Sequence, residues 1–521
     1  MTDASHAPAA APDRAALAES ATARRDLLWL GALTLALRLP TFFATKHLTF
    51  DDGVFGASAV AMRNGGVPVR DVFSSQGPLV RPLVWIADTL GLHTLDGPRL
   101  LGLASGLALV IVIYLAGREL GGTTGARIAG GLAAVTGSSI AVTGSIAADG
   151  PAMALASTAV LIALRYRRDP STGRAVAMGV ALGAAIMVKA LVLPAAVPVG
   201  LILLWGRRPK DWFAAVGAAF AVGAGLSFLW GFADVWDQSV TYHLDAPGGA
   251  TPVANVKKLI STMTTRDVAL VATGLLALVV GLLRRSGKAI GEDEEDRPDQ
   301  GVGPAVPLLL WAWFVAMFLV LAFENPMWRP HISEMVPPCC LLLAWYRPPL
   351  KATAVVAGLA TVFMIVTYAG PALLWAGGYE GDEAVVVDAL RDLPVGALAI
   401  SDEPGQVWRS GRRTPDELVD GSALLTETGR VTAESVADAA GRHDVCAVVV
   451  WSSRFGAFDD LPDLLAAEGY EVAQRFDDTR VLYLKADCDP SGRQASTSSG
   501  STGSGSSISA FQGGSSVRRT R

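Results

Sequence analysis

The sequence predicts a polytopic α-helical membrane protein of about eleven transmembrane helices, with a small extracytoplasmic α/β domain at its C-terminal end. Three observations lead to this fold class. Apolar residues make up 51% of the 521 positions and charged residues only 17%, with a mean hydropathy of +0.39, which is too apolar for a soluble globular protein. Apolar runs of membrane-spanning length recur between residues 27 and 375. Arginine and lysine gather in every second connection between these runs.

The first apolar run, residues 27–44, contains Arg38 and Pro40 and lacks an A-x-A cleavage site, which favours a retained signal anchor over a cleaved signal peptide. A long run from Ala175 to Trp205 is interpreted either as two helices or as one helix kinked near Pro194. The runs after the first are 98–117, 125–143, 150–166, 174–190, 191–205, 212–231, 267–283, 304–322, 331–346 and 352–375.

The distribution of cations predicts the orientation in the membrane. Arg24 and Arg25 precede the first run, and further cations occupy alternate connections from there on. Because cytoplasmic loops carry the excess of lysine and arginine, these connections are predicted to be cytoplasmic. The N-terminus is then inside, and the C-terminal region is extracytoplasmic. The remaining outer connections are residues 45–97, 144–149, 232–266 and 323–330.

Four segments are predicted along the chain. Residues 1–26 lack a sustained apolar period and are expected to be a disordered cytoplasmic lead-in, and residues 27–375 form the membrane domain. Residues 376–489 alternate strand-like and helical stretches, which is typical of a small soluble α/β domain. Residues 490–521 are rich in Ser and Gly and are expected to be a flexible tail. The predicted strands are 397–401, 445–451 and 481–484, and the predicted helices are 382–391, 433–442 and 461–468.

Charge and cysteine usage exclude several functions. The net charge of -5, without a basic stripe interleaved with aromatic residues, argues against nucleic-acid binding. The adjacent Cys339 and Cys340 lie in an apolar run and are expected to be core residues, and no cysteine has metal-ligand spacing. A disulfide between Cys446 and Cys488 is compatible with an extracellular location, and the sequence leaves it undecided.

Carboxylates collect at the predicted outer face. Asp51 and Asp52 follow the first span, and Asp149 stands at an outer helix end directly before Pro151. Each acid alone fits a helix N-cap, but two adjacent carboxylates exceed what a cap requires. Ionisable groups beside a membrane span are costly, and acids at one face could activate a hydroxyl group. The predicted catalytic residues are therefore Asp51, Asp52 and Asp149.

Cations at the same face are candidates for holding a phosphate. Lys189 lies 15 residues beyond Arg174, which at ~1.5 Å per residue is about 22 Å along the span. A lysine that snorkels to the interface is the alternative interpretation. The phosphate candidates at this face are Lys189, Arg329 and His331, and Tyr242 and His243 of the outer loop are candidates for contacting the substrate.

Short motifs occur along residues 27–375. They are Arg38-Leu39, Phe50 to Ala57 (FDDGVFGA), Asp71 to Phe73, Gly77 to Leu79 and Ala147 to Pro151 (AADGP). Together they resemble the GT-C superfamily of membrane glycosyltransferases, in the branch of protein O-mannosyltransferases and lipid A aminoarabinose transferases. In the C-terminal region, Ser401 to Pro404 and Trp408 to Pro415 resemble motifs of related bacterial and archaeal transferases, with turn formation as the alternative interpretation.

The resemblance implies transfer of a sugar, a mannose-like hexose or a pentose, from a polyprenyl phosphate to an acceptor hydroxyl, with inversion. By position, Asp51 matches the family's catalytic carboxylate, Asp52 its acidic neighbour, which is more often Glu, and Asp149 the second outer acid. The first loop is the outer connection 45–97. The aminoarabinose transferases carry a Lys just before the Pro-Leu of this loop, where this chain has Gln76 and Gly77. The resemblance therefore implies that the phosphate is held elsewhere, and Lys189, Arg329, His331 or Arg81 could hold it, with Gln76 as a further candidate for contacting the substrate.

The sequence requires no cofactor, although Asp51, Asp52 and Asp149 could form a hard-oxygen site for a divalent cation. The expected partners are the polyprenyl-phosphate sugar, membrane lipid, and an acceptor that is a polysaccharide, a lipid or a protein.

The main alternative function is a transporter or flippase of polyprenyl-linked lipids. Transporters of this kind often contain inverted repeats, and we detect none in the sequence. A non-catalytic lipid-binding scaffold is the third hypothesis.

Overall fold

The structure is a computed structural model that describes residues 14–286 and 305–488. A helical part precedes a C-terminal domain built on a four-stranded sheet. The helical part contains α1 (Arg14–Phe42), α2 (Phe50–Arg63), α3 (Val80–Leu90), α4 (Leu100–Val135), α5 (Gly137–Gly144), α6 (Asp149–Arg168), α7 (Thr172–Val188), α8 (Ala196–Trp205), α9 (Pro209–Trp230), α10 (Phe232–Trp236), α11 (Tyr242–Leu244), α12 (Pro252–Thr265), α13 (Val268–Arg285), α14 (Ala305–Phe323), α15 (Val336–Tyr346) and α16 (Leu350–Met364).

Short 3₁₀ and π segments connect or extend these helices. The 3₁₀ segments are Gly97–Arg99, Ala190–Ala195 and Arg329–Met335, and the π segments are Asp237–Thr241 and Ile365–Leu374. The C-terminal domain contains α17 (Gly381–Arg391), β1 (Leu398–Ser401), α18 (Pro404–Arg409), α19 (Ala423–Glu427), α20 (Ala433–Gly441), β2 (Val445–Val450), α21 (Ser453–Gly456), α22 (Leu461–Ala467), β3 (Tyr470–Arg475) and β4 (Val481–Lys485).

The predicted fold class is confirmed, because apolar helices dominate the chain and a small sheet follows them. Within the described residues, five helical segments are long and apolar enough to cross a membrane, or six if α5 and α6, bent by 116°, form one span. The count of about eleven spans stays a prediction. The run at 125–143 was predicted as one helix, which is wrong, because the chain breaks at Thr136 between α4 and α5.

The buried side chain of Arg38 connects α4 and α5 at this break. Arg38 of α1 donates from Nε to the hydroxyl of Thr143 at 2.6 Å and from Nη1 to the carbonyl of Ala134 at 3.1 Å. Its other terminal nitrogen donates to the hydroxyl of Ser139 at 3.2 Å. Arg38 is fully buried and has no carboxylate partner among residues 14–286 and 305–488, so it needs such acceptors, and the last carbonyls of α4 and the hydroxyls of α5 supply them.

Small residues bring the helices together. A Cβ added at Gly102 of α4 would lie 2.3 Å from the carbonyl oxygen of Ser145, and one at Gly179 of α7 would lie 2.1 Å from that of Ala215. Gly102 and Gly179 each begin a G-x-x-x-G motif, and these distances show that the absence of a side chain allows the close packing at both positions.

The sheet of the C-terminal domain has the order β1-β2-β4-β3, with β1 parallel to β2 and the other pairs antiparallel. The sequence predicted three of these strands and missed β3, whose residues after Tyr470 are all exposed and include Glu471, Gln474 and Arg475, so that they lack the apolar pattern of a buried strand. Cys446 and Cys488 form a disulfide, with their Cα atoms 5.4 Å apart.

The segment boundaries differ at the N-terminal end. Helix α1 begins at Arg14, so residues 14–26 are helical rather than part of the predicted lead-in. Residues 1–13 and the predicted tail 490–521 lie outside the described residues.

The predicted location of the C-terminal domain can be tested by labelling. Val395 is 93% exposed, so a cysteine replacing it is expected to react with a membrane-impermeant thiol reagent in intact cells. Ser286, exposed after α13 in a connection predicted to be cytoplasmic, supplies the matched control, and Ser286→Cys should react only after lysis. The opposite labelling pattern would contradict the predicted topology.

Candidate active site

Helix α2 carries the Asp pair in its first turn. Thr49 is the N-cap, and its side chain accepts a hydrogen bond from the amide of Asp52 at 3.1 Å. A helix N-terminus has free amides and a partial positive charge that favour nearby carboxylates. Capping therefore explains the start of the helix through Thr49 and leaves the carboxylates of Asp51 and Asp52 for other contacts.

Asp52 is buried and fully hydrogen-bonded. One carboxylate oxygen accepts from Nη2 of Arg99 at 2.7 Å and from the amide of Leu48 at 3.0 Å. The other accepts from Nε of Arg99 at 3.3 Å and from the amide of Ile146 at 3.0 Å. Burial alone would raise the pKa of Asp52, but Arg99 and the amides outweigh it and hold that pKa below its usual value. These contacts make Asp52 an anchor of the loop rather than a group free to take a proton.

Asp51 differs from its neighbour in having no hydrogen-bond partner among residues 14–286 and 305–488. Its carboxylate is half-buried and interacts electrostatically with Lys189, Asp149, His331 and Asp420. Burial, followed by the negative charges of Asp149 and Asp420, raises the pKa of Asp51 to about 6, although Lys189 and His331 oppose the shift. A carboxylate with this pKa is suited to accept a proton near neutral pH.

Asp149 and Lys189 form a buried ion pair. The ammonium nitrogen of Lys189 lies 2.7 Å from Oδ1 of Asp149, and both side chains are buried. Lys189 follows the last residue of α7, and Asp149 is the first residue of α6. Oδ2 of Asp149 is buried and has no hydrogen-bond partner in the described part of the chain. One acceptor of the pair thus stays available for a ligand.

Two more acids, Glu324 and Glu334, lie before and within the 3₁₀ segment Arg329–Met335. Nδ1 of His331 is 2.5 Å from Oε1 of Glu324. Glu334 is buried, and its Oε1 has no hydrogen-bond partner among the described residues. Its carboxyl group interacts electrostatically with Asp149, Lys189 and Glu324. Glu334 was not among the site residues predicted from the sequence, although a lone acid inside the apolar run 331–346 was a usable signal.

Arg329 occupies a different environment from His331. Its side chain is exposed, and its charge acts on Arg266 and Tyr368. The guanidinium of Arg266 stacks on the ring of Tyr368 at 4.2 Å. The structure therefore groups Lys189 and His331 with Asp51 and Asp149, and it groups Arg329 with a second arginine.

Arg81 is a buried residue of α3. It donates to the hydroxyl of Ser58 and to the carbonyl of Phe73, both at 2.6 Å, and it stacks over the ring of Phe55 at 4.8 Å. Burial lowers the pKa of Arg81 to about 10, against the opposing charges of Asp420 and Asp51. Its Nε has no partner among residues 14–286 and 305–488, so one donor of a largely structural arginine remains unused.

The predicted substrate contacts have separate locations. The hydroxyl of Tyr242 is 3.1 Å from that of Ser422, and its ring packs in the core of the C-terminal domain, so we revise its role from substrate binding to domain docking. His243 donates from Nε2 to the carbonyl of Ser75 at 2.7 Å. The backbone carbonyl of Gln76 accepts from Ser239 at 3.0 Å, and its half-buried side chain has no hydrogen bond in the described part of the chain.

The first loop runs beside the end of α7. The amide of Gly77 donates to the carbonyl of Val188 at 3.1 Å, and that of Leu79 donates to Met187 at 2.9 Å. A Cβ at Gly77 would lie 2.2 Å from the carbonyl oxygen of Met187, so this approach requires glycine. The contact brings residues 76–79 next to Lys189.

The C-terminal motifs have roles beyond turn formation. Asp402 accepts hydrogen bonds from the amides of Trp451 and Ser452 at 2.7 and 2.8 Å and thereby joins β1 to the start of α21. Glu403 pairs with Arg454 and lies 3.7 Å from Nε2 of His47, in the first loop. These contacts could not be predicted from the sequence, because the partners of Asp402 and Glu403 are far away in the chain.

Asp51, Asp52 and Asp149 could have formed a hard-oxygen site, but the carboxylate of Asp52 is paired with Arg99. Among residues 14–286 and 305–488, no group of three or more His, Cys, Asp or Glu side chains is arranged to hold a metal ion.

Residues 75–232 match the family model described as dolichyl-phosphate-mannose-protein mannosyltransferase. The predicted resemblance is confirmed. The matched segment includes the first loop from Ser75 onwards, Asp149, Lys189 and the helices between them. Asp51 and Asp52 precede it, so their assignment rests on the motif and on the geometry described above.

Among solved structures, the chain is similar to the oligosaccharyltransferase of Archaeoglobus fulgidus. The complex of that enzyme with Zn and sulfate has a TM-score of 0.44 at 14% sequence identity, over 85% of this chain and 71% of that chain. The enzyme AglB from the same organism, in complex with an inhibitory peptide and a dolichol-phosphate, has a TM-score of 0.47 at 13% identity, over 86% and 72% of the two chains. No curated protein sequence matches the chain.

Proposed function

We propose that the protein is a membrane glycosyltransferase that moves a sugar from a polyprenyl phosphate to an acceptor hydroxyl at the outer membrane face. The observation that carries the proposal is Asp51, a carboxylate with a raised pKa and no hydrogen-bond partner in the described residues, beside the Lys189–Asp149 pair. The match of residues 75–232 to a mannosyltransferase family supports the reaction class. A mannose-like hexose is the favoured sugar.

In the proposed reaction, Asp51 accepts the proton of the acceptor hydroxyl as the hydroxyl oxygen forms a bond to the anomeric carbon. The bond between that carbon and the phosphate oxygen breaks at the same time, and the electron pair leaves with the polyprenyl phosphate. Attack opposite to the leaving group inverts the configuration. Asp52 keeps Asp51 in place through its bonds to Arg99 and the backbone.

The leaving phosphate needs positive charge. Lys189 has three ammonium protons, and in the described part of the chain one of them is used on Asp149. His331 interacts electrostatically with both Asp51 and Asp149. We assign these two residues to the phosphate, with Arg329 and Arg81 as weaker candidates, because Arg329 lies beside Arg266 and Arg81 is already bonded to Ser58 and Phe73.

The proposal is tested with membranes that contain the protein and a polyprenyl phosphate carrying a labelled sugar. A transferase moves the label to a new acceptor and releases polyprenyl phosphate. A flippase changes the side on which the intact donor is found, and a scaffold binds the donor without changing it. Recovery of only intact donor, under conditions in which the protein binds it, would refute the transferase proposal.

A further inference from the structure

The C-terminal domain touches α2 directly beside the Asp pair. A Cβ at Gly53 would lie 2.6 Å from the amide nitrogen of Gly405, and a Cβ at Gly56 would lie 2.2 Å from the ring of Trp408. In return, a Cβ at Gly405 would lie 2.3 Å from the ring of His47. Helices α2 and α18 therefore approach each other closely, and this approach depends on glycine in both helices.

Arg409, the last residue of α18, reaches into the chain ahead of α2. It donates to the carbonyls of Ala44 and Thr45 at 3.0 and 3.1 Å. It also donates to the carbonyl of Leu95 at 3.3 Å and pairs with the carboxylate of Asp96 at 2.8 Å. One buried side chain of the C-terminal domain thus ties together both ends of the first loop.

Arg99, a residue of the helical part, binds the same backbone segment ahead of α2. It donates to the carbonyls of Ala44 and Lys46 at 2.5 and 2.6 Å, in addition to its ion pair with Asp52. The carbonyl of Ala44 consequently accepts from both arginines. The indole of Trp408 contacts both guanidinium groups, 5.3 Å from that of Arg99 and 4.9 Å from that of Arg409.

This arrangement determines the location of Asp51. Because the carboxylate of Asp51 has no hydrogen-bond partner in residues 14–286 and 305–488, its position depends on the backbone of residues 44–52. That backbone is held by the two arginines, and a second set of contacts supports it. Nδ1 of His47 is 2.6 Å from the hydroxyl of Tyr379, and the guanidinium of Arg454 lies 4.3 Å over the ring of Phe50.

We propose that Trp408 and Arg409 of the C-terminal domain are positioning residues for Asp51, so that the domain completes the active site of the membrane part. The inference rests on the proposed transferase function. Catalytic groups must be placed accurately, since a misplacement of about 1 Å can lower a rate about 10²-fold. Neither residue needs to touch the donor, whose phosphate is assigned to Lys189 and His331.

The test measures kcat and donor affinity separately in the full-length protein. Arg409→Met is expected to lower kcat about 10- to 100-fold and to leave donor affinity within about twofold. Arg409→Lys keeps the positive charge but loses the planar guanidinium group with its several donors. Its kcat should therefore lie between those of Arg409→Met and the wild type. The acid limb of the pH profile should also move to lower pH, because a loosened, better hydrated Asp51 has a pKa nearer its usual value.

Arg412 provides the matched control in the same motif. It donates to the carbonyls of Leu390, Arg391 and Leu393 within the C-terminal domain. Arg412→Met is expected to lower thermal stability in detergent while the folded fraction keeps the wild-type kcat and pH profile. Equal losses of kcat in Arg412→Met and Arg409→Met would contradict a specific positioning role.

Trp408→Leu decides the question if Arg409→Met does not fold. It removes the ring between the two guanidinium groups, and we expect it to lower kcat about 10-fold or more with donor affinity retained. A folded Trp408→Leu or Arg409→Met protein with wild-type kcat would overturn the inference.

The proposed function is judged separately from this inference. It stands if the wild-type protein transfers sugar and Asp51→Asn does not. Absence of transfer by the wild-type protein with bound donor would refute the proposed function itself.

Discussion

Asp51→Asn is expected to lower the rate of sugar transfer about 10²- to 10⁴-fold, the usual contribution of a positioned proton acceptor. Asparagine keeps the size of the side chain but cannot take the proton from the acceptor hydroxyl. The variant should fold and bind the donor, because the carboxylate of Asp51 makes no hydrogen bond in the described residues. Retention of most of the transfer activity would exclude Asp51 as the base and make Asp149 the next candidate.

The pH dependence gives an independent check on Asp51. With a pKa of about 6, the carboxylate is deprotonated above that value, so kcat should rise with pH through about 6 and then level off. A raised pKa in the folded state also means that stability falls as pH rises from about 4 to 6, because the folded protein holds the proton more tightly than the unfolded chain. Asp51→Asn should therefore be at least as stable as the wild type above pH 6.

Asp71 supplies a control in the same loop. It forms an exposed ion pair with the adjacent Arg70 and, like Asp51, lies in the predicted outer connection 45–97. Asp71→Asn is expected to retain the wild-type rate and pH profile.

Asp52→Asn is expected to lower both stability and rate. It breaks the buried ion pair with Arg99, so it should destabilise the loop as well as slow the reaction.

Lys189→Met should have the second large effect, on both stability and donor binding. It leaves the carboxylate of Asp149 buried without its partner, which typically costs about 3–5 kcal/mol. It also removes a charge-assisted hydrogen bond to the donor phosphate, which at about 1.5–3 kcal/mol weakens binding about 10- to 100-fold. Thermal unfolding in detergent and titration with polyprenyl-phosphate sugar measure the two effects.

The double variant Lys189→Met with Asp149→Asn separates these effects. It carries no unpaired buried charge, so much of the stability should return, whereas donor binding should remain weak. Arg329→Met is the companion test, and a smaller loss of affinity is expected because the side chain is exposed and lies next to Arg266. Full recovery of donor affinity in the double variant would show that Lys189 only balances Asp149.

The sequence alone was enough to predict the fold class and part of the site. Hydropathy over windows of helix length reports local burial in lipid, and this property identified the apolar helices and the change to an α/β domain after residue 376. The alternation of cations predicted one common face for Asp51, Asp149 and Lys189, and the structure brings these three side chains together.

Only the tertiary structure distinguished the two adjacent carboxylates. Asp51 and Asp52 look equivalent in the sequence, but Arg99, 47 residues later, binds Asp52 and leaves Asp51 without a partner in the described residues. Arg409 is 364 residues away from Thr45, whose carbonyl it binds. Hydrogen bonds and ion pairs depend on distances of a few ångströms between groups, and the local pattern around each residue carries no information about such remote partners. The sequence thus predicted the apolar helices and a common location for these charges, whereas folding decided which charge is neutralised and which remains available to react.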